Sequence, residues 1–242
     1  MSLLANKTIL VTGGTGYLGS AVCRKAHAEG AKVLFSYFKG EDKARALEAE
    51  LPGSFGFPMD IRSGAEVHAA ISKVYKAHET IDVLVNNAAS SQALPLPLLE
   101  EEDIDLAVNV NLKGPLLVTQ AVVKGMVRAR RGSIVNVGSI AGHRVLDVPV
   151  TYAMTKAAIS GMTVALSAEF RRFGIRVNSV VPGMLEGGVA QGIPDGHRQD
   201  FLKHCLAGRP GSADEIANVI VFLASDQASY INAQDIHVNG GI

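Results

Sequence analysis

Short apolar runs alternate with helix-like stretches from one end of the chain to the other. The runs that we predict to be strands cover residues 8–12, 32–37, 55–58, 81–86, 133–137, 175–180 and 235–238. Helix-period apolar residues lie between them, over residues 17–29, 41–50, 64–78, 100–129, 151–173 and 212–224. Because parallel strands need a crossover connection, usually a helix, this alternation predicts an α/β fold with a doubly wound, mostly parallel seven-stranded sheet.

The strand-like runs are apolar almost throughout, as in Ile-Asp-Val-Leu-Val at residues 81–85. Strands of this kind are covered by helices on both faces. A length of 242 residues suits a single domain, so we expect one domain over residues 1–242. Residues 183–211 interrupt the alternation of strand-like and helix-like stretches: they contain clustered glycine and proline and only a short helical pattern around 197–207. A long irregular segment of this kind predicts a mobile lid over a binding site.

The charge balance and the cysteines argue against several kinds of partner. Lysine plus arginine and aspartate plus glutamate both number 23, so no net charge attracts nucleic acid or an anionic membrane. Cys23 and Cys205 lack the spacing of a metal site or a disulfide framework and are predicted to be buried thiols. The chain shows no signal-peptide pattern and no apolar run near the length of a membrane span. We therefore expect a cytoplasmic protein without a membrane partner.

A glycine-rich loop, Thr-Gly-Gly-Thr-Gly-Tyr-Leu-Gly at residues 12–19, joins the first predicted strand to the first predicted helix. Glycines let the backbone approach a ligand closely, and the free N–H groups of a helix N-terminus favour phosphate. The alternative is an ordinary tight turn. The position directly after the first strand favours a loop that holds the pyrophosphate of a dinucleotide.

Tyr152 and Lys156 are four residues apart near the start of a predicted helix and would project from one face of it. An adjacent ammonium group lowers the pKa of a phenol, which is ~10 in the free side chain, and so prepares it for proton exchange. The alternative is a helical tyrosine beside a solvated lysine. Ser139 follows the fifth predicted strand, at the sheet edge that also receives the glycine loop. This convergence favours a catalytic site.

Further motifs stand in order along the chain: Asp60-Ile61, Asn86-Asn87-Ala88-Ala89, Asn111-Leu112-Lys113-Gly114, Pro182-Gly183 and Val238-Asn239-Gly240-Gly241. Together with the glycine loop, Ser139 and Tyr152-x-x-x-Lys156, they resemble the motifs of the short-chain dehydrogenase/reductase family, in its single-domain branch. The resemblance covers essentially the whole chain. It implies a Rossmann fold, a nicotinamide cofactor and a homotetramer.

The resemblance also implies the role of each candidate catalytic residue. Tyr152 would be the general acid, and Ser139 would polarise the substrate carbonyl. Lys156 would lower the tyrosine pKa and hold the nicotinamide ribose, while Asn111 would position a water in a proton relay. The implied cofactor-binding residues, besides Tyr152 and Lys156, are Gly13, Thr15, Gly16, Tyr17, Leu18, Gly19, Ser36, Tyr37, Lys39, Asp60, Ile61, Asn87, Ala88, Pro182 and Gly183.

The end of the second predicted strand favours NADP(H) over NAD(H). An NAD-dependent enzyme would normally place an aspartate there for the ribose hydroxyls, and this chain has none. Lys39 could meet a 2′-phosphate and Ser36 could hydrogen-bond it, although Lys39 also suits a solvated surface.

Two positions depart from the family pattern. Tyr17 stands where the single-domain branch usually has a glycine, and Gly187 stands where a threonine that contacts the cofactor is usual. We expect an altered pyrophosphate contact from the first departure.

Within the family, the chain is most similar to reductases of 3-oxoacyl groups carried on acyl carrier protein, which implies reduction of a ketone on a thioester. A basic patch of Arg128, Arg130, Arg131, Arg171 and Arg172 could meet the acidic carrier, and His143, Arg144 and Asp147 could contact substrate. The alternatives are a dehydrogenase of a small secondary alcohol, sugar or cyclic metabolite, and a non-catalytic dinucleotide-binding protein.

Overall fold

The computed structural model describes residues 2–92, 94–193 and 195–242. Its seven strands form one parallel sheet in the order β3-β2-β1-β4-β5-β6-β7, which confirms the predicted α/β doubly wound fold. The strands are β1 (Thr8–Thr12), β2 (Lys32–Tyr37), β3 (Phe55–Pro58), β4 (Val83–Asn86), β5 (Gly132–Val137), β6 (Ile175–Pro182) and β7 (Asp235–Val238).

Eight α-helices cover the two faces of this sheet within the described residues. They are α1 (Tyr17–Ala28), α2 (Glu41–Glu50), α3 (Gly64–His78), α4 (Glu101–Val108), α5 (Gly114–Ala129), α6 (Val150–Phe170), α7 (Asp195–His204) and α8 (Ala213–Ala224). The segment predicted as a lid contains α7 and a short 3₁₀ turn, Gly188–Gly192. Its helix begins two residues earlier than the pattern over 197–207 indicated and ends at His204.

The single helix predicted over 100–129 is present from Glu101 to Ala129, but it is not a regular α-helix throughout. A π-helical turn, Asn109–Lys113, separates α4 from α5, and the N–H of Gly114 donates to the carbonyl of Asn109 in the wider i+5 pattern. Pro115 lacks an N–H group, so it cannot donate to the carbonyl of Asn111 four residues earlier. The apolar period continues across this turn, which is why the periodicity concealed it.

Neighbouring residues of each strand pack into different cores. Val11 and Phe35 lie in the core beneath α1 and α8, with Val22 and Ile220. Leu10 and Leu34 lie in the core beneath α3, α5 and α6 on the opposite face. Burial on both faces explains the nearly continuous apolar runs, because each strand must present apolar side chains in both directions.

The helical stretch Glu101–Ala129 is long enough to cross a membrane, and an 18-residue window within it has a mean hydropathy of 1.3. Half of that window is buried inside the fold, where α5 packs against α3 and the sheet. The apolar side chains of α5 are therefore those of a core helix.

The strand order reverses between β1 and β4. From β1 the chain proceeds outward through β2 to β3, and it then returns to build β4 to β7 on the other side. The helices that leave β1 and β4 consequently lie on opposite faces, and a crevice opens between them at the carboxyl ends of the strands. This crevice locates the site.

Candidate active site

A cleft of about 1150 Å³ lies at the carboxyl edge of the sheet. It is lined by the glycine loop, by the ends of β2 to β6 and by α7. Every residue implied for catalysis or cofactor binding lines this cleft except Asn111. The topology therefore brings together segments that are far apart in sequence.

The glycine loop forms a cradle that larger side chains would fill. A Cβ atom on Gly19 would lie 2.2 Å from the carbonyl oxygen of Gly13, which itself has a φ of +65°. Gly16 precedes α1 and has no side chain to cap it, and the first turn of the helix contains no acidic residue. The first N–H groups of α1 therefore lack a side-chain partner beside the cleft, and they suit the pyrophosphate of a dinucleotide.

Thr12 and Asn87 hold this loop against the end of β4. The Thr12 hydroxyl accepts hydrogen bonds from the backbone N–H groups of Asn87 and Ala88, at 3.0 and 3.1 Å. The Asn87 amide donates to the carbonyls of Thr12 and Gly13, at 2.9 and 3.2 Å. The sequence analysis assigned no role to Thr12. A hydroxyl on the last residue of the first strand is the signal that could have identified it.

At the opposite end of the cleft, basic side chains surround Phe38, which is exposed. The Lys39 ammonium lies 5.6 Å from the centre of the Phe38 ring, and the Arg62 guanidinium carbon lies 4.9 Å from it. Arg62 also donates to both carboxylate oxygens of Asp60, at 2.6 to 3.0 Å, and so holds the pKa of that carboxyl below its usual range. Arg62 is a cleft residue that the sequence analysis missed, although its pairing with Asp60, two residues earlier, is local in sequence.

Lys156 lies at the base of the cleft with only 3% of its surface exposed. Its ammonium donates to the carbonyl of Val137 at 2.7 Å and lies 5.8 Å from the centre of the Tyr152 ring. Burial disfavours the charged form and lowers the pKa of Lys156 to about 8. The predicted placement of both side chains on one face of α6 is therefore correct.

The expected lowering of the Tyr152 pKa by Lys156 is not found in the protein alone. Burial raises the pKa of Tyr152, and the neighbouring Ser139 hydroxyl opposes part of this rise. The Ser139 hydroxyl in turn accepts from the N–H of Ala141 at 3.1 Å, which fixes its orientation. A buried phenol without a compensating charge at its oxygen stays protonated at neutral pH.

Asn111 has its side chain inside the fold and not in the cleft. Its amide oxygen accepts from the N–H of Ser90 at 2.8 Å, and its amide nitrogen donates to the Ser90 carbonyl at 2.9 Å and to the Thr155 hydroxyl at 3.2 Å. These bonds use both N–H donors of the side chain and one lone pair of its oxygen. Pro115 cannot donate to the backbone carbonyl of Asn111, so that carbonyl is a second group to which the predicted relay water would bind.

The substrate side of the cleft combines an apolar wall with a polar mouth. Arg144 and Asp147 line the cleft, as does His197 of α7, whose ring nitrogen lies 3.3 Å from the Asp147 carboxylate. His143 points away and interacts with the Ser160 hydroxyl at 3.2 Å. The apolar lining residues are Ile140, Leu146, Val148, Met184, Val189, Ile193 and Phe201.

Comparison with known proteins agrees with this geometry. Residues 16–242 match the family described as Enoyl-(Acyl carrier protein) reductase. The chain is 38% identical over 242 residues to the 3-oxoacyl-[acyl-carrier-protein] reductase FabG of Thermotoga maritima, covering 99% of this chain and 98% of that protein. It is 33% identical over 237 residues to the enzyme of the same name from Escherichia coli K12, covering 98% and 97%.

Among solved structures, a gluconate 5-dehydrogenase from Burkholderia cenocepacia in complex with NADP and tartrate superposes with a TM-score of 0.93. The two sequences are 30% identical over 98% of this chain and 95% of that one. The family match, the full-length relatives and the shared architecture lead to one assignment. The chain belongs to the short-chain dehydrogenase/reductase family and is a nicotinamide-dependent oxidoreductase of CH–OH and ketone groups.

Proposed function

We propose that this chain reduces the ketone of a 3-oxoacyl thioester on acyl carrier protein, using NADPH. The observation that carries the proposal is the group formed by Ser139, Tyr152 and buried Lys156 beside an apolar wall. The relatives named 3-oxoacyl-[acyl-carrier-protein] reductase support the substrate. An apolar wall suits an acyl chain, because burying apolar surface favours binding by about 25 cal/mol per Å².

The hydroxyls of Ser139 and Tyr152 can both donate to the oxygen of a ketone. A nicotinamide cofactor held by the glycine loop would supply the hydride that the carbonyl carbon needs. Tyr152 gives its proton to the oxygen, so the C=O double bond becomes CH–OH and the phenol becomes a phenolate. The raised pKa of Tyr152 keeps this proton in place at neutral pH, and the Lys156 ammonium offsets the negative charge that the phenol acquires.

Two other activities must be compared with this proposal. The family description names an enoyl reductase, but two hydroxyl donors, Ser139 and Tyr152, in one cleft suit a carbonyl oxygen better than a carbon–carbon double bond. The similarity to a gluconate 5-dehydrogenase favours a second activity, on a small polyol or sugar acid. The polar mouth of the cleft at Arg144 and His197 supports this alternative. The intact catalytic group argues against a non-catalytic protein.

The basic patch expected to meet the carrier protein lies at the opposite edge of the sheet from this chain's own cleft. Arg131 directly precedes β5 and pairs with Asp82 at the start of β4, at 3.2 Å. Arg130 donates to the carbonyl of Arg172, just before β6. The patch is therefore at the amino ends of the strands, because α5 and α6 run antiparallel to them. The carrier-protein part of the proposal rests on the relatives and not on this patch.

A cytoplasmic location, a homotetramer and a preference for NADP(H) are also part of the proposal. Lys39 supports the NADP(H) preference, since within the part of the chain that the structure describes this side chain has no ion pair. Asp60, the acid nearest the adenine end, is neutralised by Arg62 and so repels a phosphate less. Both features favour the extra negative charge of a 2′-phosphate.

Substrate identity is tested by following NADPH oxidation with an acetoacetyl thioester, with the same group on acyl carrier protein, and with 5-ketogluconate. We expect turnover of both thioesters and a higher kcat/KM for the carrier-bound form. A crotonyl thioester serves as the control for enoyl reduction. Turnover of 5-ketogluconate alone would overturn the thioester proposal in favour of a sugar-acid dehydrogenase.

Cofactor preference is tested by reversing the charge of Lys39. The Lys39→Glu variant should bind NADPH at least about tenfold more weakly, because one charge-assisted hydrogen bond is lost and a repulsion is added. NADH affinity should change by less than about twofold. Lys43→Glu makes the same charge change on exposed α2, outside the cleft, and is the matched control. Equal losses for both cofactors would show that Lys39 does not select the phosphate.

The pH dependence of kcat/KM for NADPH tests the role of Lys156, since this parameter reports groups of the free enzyme. The ammonium is present below its pKa of about 8 and is lost above it, so reduction should slow as the pH rises through about 8. Lys156→Arg carries a group that does not deprotonate. Its profile, at whatever rate remains, should lack this fall. A fall at the same pH in the arginine variant would exclude Lys156 as its source.

A further inference from the structure

Tyr17 is the first residue of α1, and its ring lies directly on the backbone where the lid segment begins. A Cβ atom built on Gly187 would lie 2.9 Å from two ring carbons of Tyr17. A Cβ on Gly188, whose φ is +70°, would lie 3.3 Å from the Cβ of Tyr17. The ring therefore occupies the space that any side chain at position 187 would need.

The other side of this segment is held by backbone hydrogen bonds. The N–H of Glu186 donates to the carbonyl of Gly211 at 3.1 Å, and the N–H of Gly211 donates to the carbonyl of Met184 at 2.9 Å. The Tyr17 hydroxyl lies 3.5 Å from the Glu186 carboxylate, at the limit of a hydrogen bond. The start of the lid is thus enclosed between Gly211 and the Tyr17 ring.

The two departures from the family pattern, Tyr17 and Gly187, are therefore in direct contact, and each limits which residue fits at the other position. With the Tyr17 ring in this position, a threonine at position 187 would require the ring to move, and a glycine at 187 leaves a surface on which the ring packs. Tyr17 also begins the helix whose free N–H groups face the cleft, and its side chain is 37% exposed there. One residue therefore connects the dinucleotide loop to the lid.

We propose that Tyr17 is a positioning residue that holds the start of the lid on the dinucleotide loop and thereby slows release of the cofactor. The contact between its ring and Gly187 replaces the contact that a side chain at position 187 would make with the cofactor. This inference rests on the proposed use of a nicotinamide dinucleotide. It concerns the retention of the cofactor and not the chemistry at Tyr152.

The test is a double-mutant cycle on the dissociation rate of NADPH, followed by stopped-flow fluorescence. Tyr17→Ala should release NADPH about tenfold faster, because the contact between the ring and Gly187 is lost. A change of about tenfold is typical of the interaction energy between two contacting residues. Gly187→Thr should have a similar effect, because the new side chain displaces the ring. In Tyr17→Ala/Gly187→Thr the threonine has room, so the rate should return to within about threefold of the wild-type value.

Two single variants separate the ring from other effects. Tyr17→Phe keeps the ring and loses only the long contact with Glu186, so it should release NADPH at nearly the wild-type rate. Tyr230→Ala removes a fully exposed tyrosine elsewhere and is the control for the loss of an aromatic side chain.

Additive effects of the two substitutions, or an unchanged rate in Tyr17→Ala, would overturn the proposed contact. Failure of the wild-type protein to bind NADPH or NADH would instead overturn the proposed function. The two failures are therefore distinguishable.

Discussion

All seven strands run in one direction, so every connection must cross a face of the sheet and return to the same edge. This constraint places the loops that follow the strands together at the carboxyl edge. The reversal of order between β1 and β4 then separates those loops into two groups, with a crevice between them. The glycine loop, Asn87, Ser139 and Gly183 reach one cleft for this reason, although they are distant in sequence.

The chemistry of the cleft depends on how little water reaches its base. Lys156 is almost completely buried, and its ammonium is satisfied by the carbonyl of Val137. In such surroundings a charge interacts strongly with its neighbours, because the effective dielectric constant is low. The same burial that raises the pKa of Tyr152 makes the Lys156 ammonium effective in stabilising a phenolate. Burial therefore explains both why Tyr152 keeps its proton until the reaction and why Lys156 stabilises the phenolate that is left.

Much of the fold and the site could be predicted from the sequence because local patterns carry them. The apolar period gave the order of strands and helices, and the motifs gave the glycine loop with Ser139, Tyr152 and Lys156. Features that depend on tertiary contacts could not be predicted. The approach of the Arg62 guanidinium to the Phe38 ring and the sign of the Tyr152 pKa shift both follow from burial and packing.

Two predictions from the sequence were incomplete. The helix predicted over 100–129 is present but contains a π turn, which Pro115 could have indicated, and the apolar residues keep their spacing through that turn. The arginines before β5 and β6 suggested a docking patch, but helices that return antiparallel to the strands place them at the opposite edge from the cleft. The direction of a helix relative to the strands decides which end of that helix lies near the cleft.

The assignment of Tyr152 as the proton donor is the central claim, and one substitution tests it most directly. Tyr152→Phe removes the hydroxyl and leaves the ring, so ketone reduction should fall by about 100-fold to 10,000-fold while NADPH still binds. Tyr230→Phe makes the same change at a fully exposed position and should leave the rate unaltered. Ketone reduction at the wild-type rate in Tyr152→Phe would contradict the account.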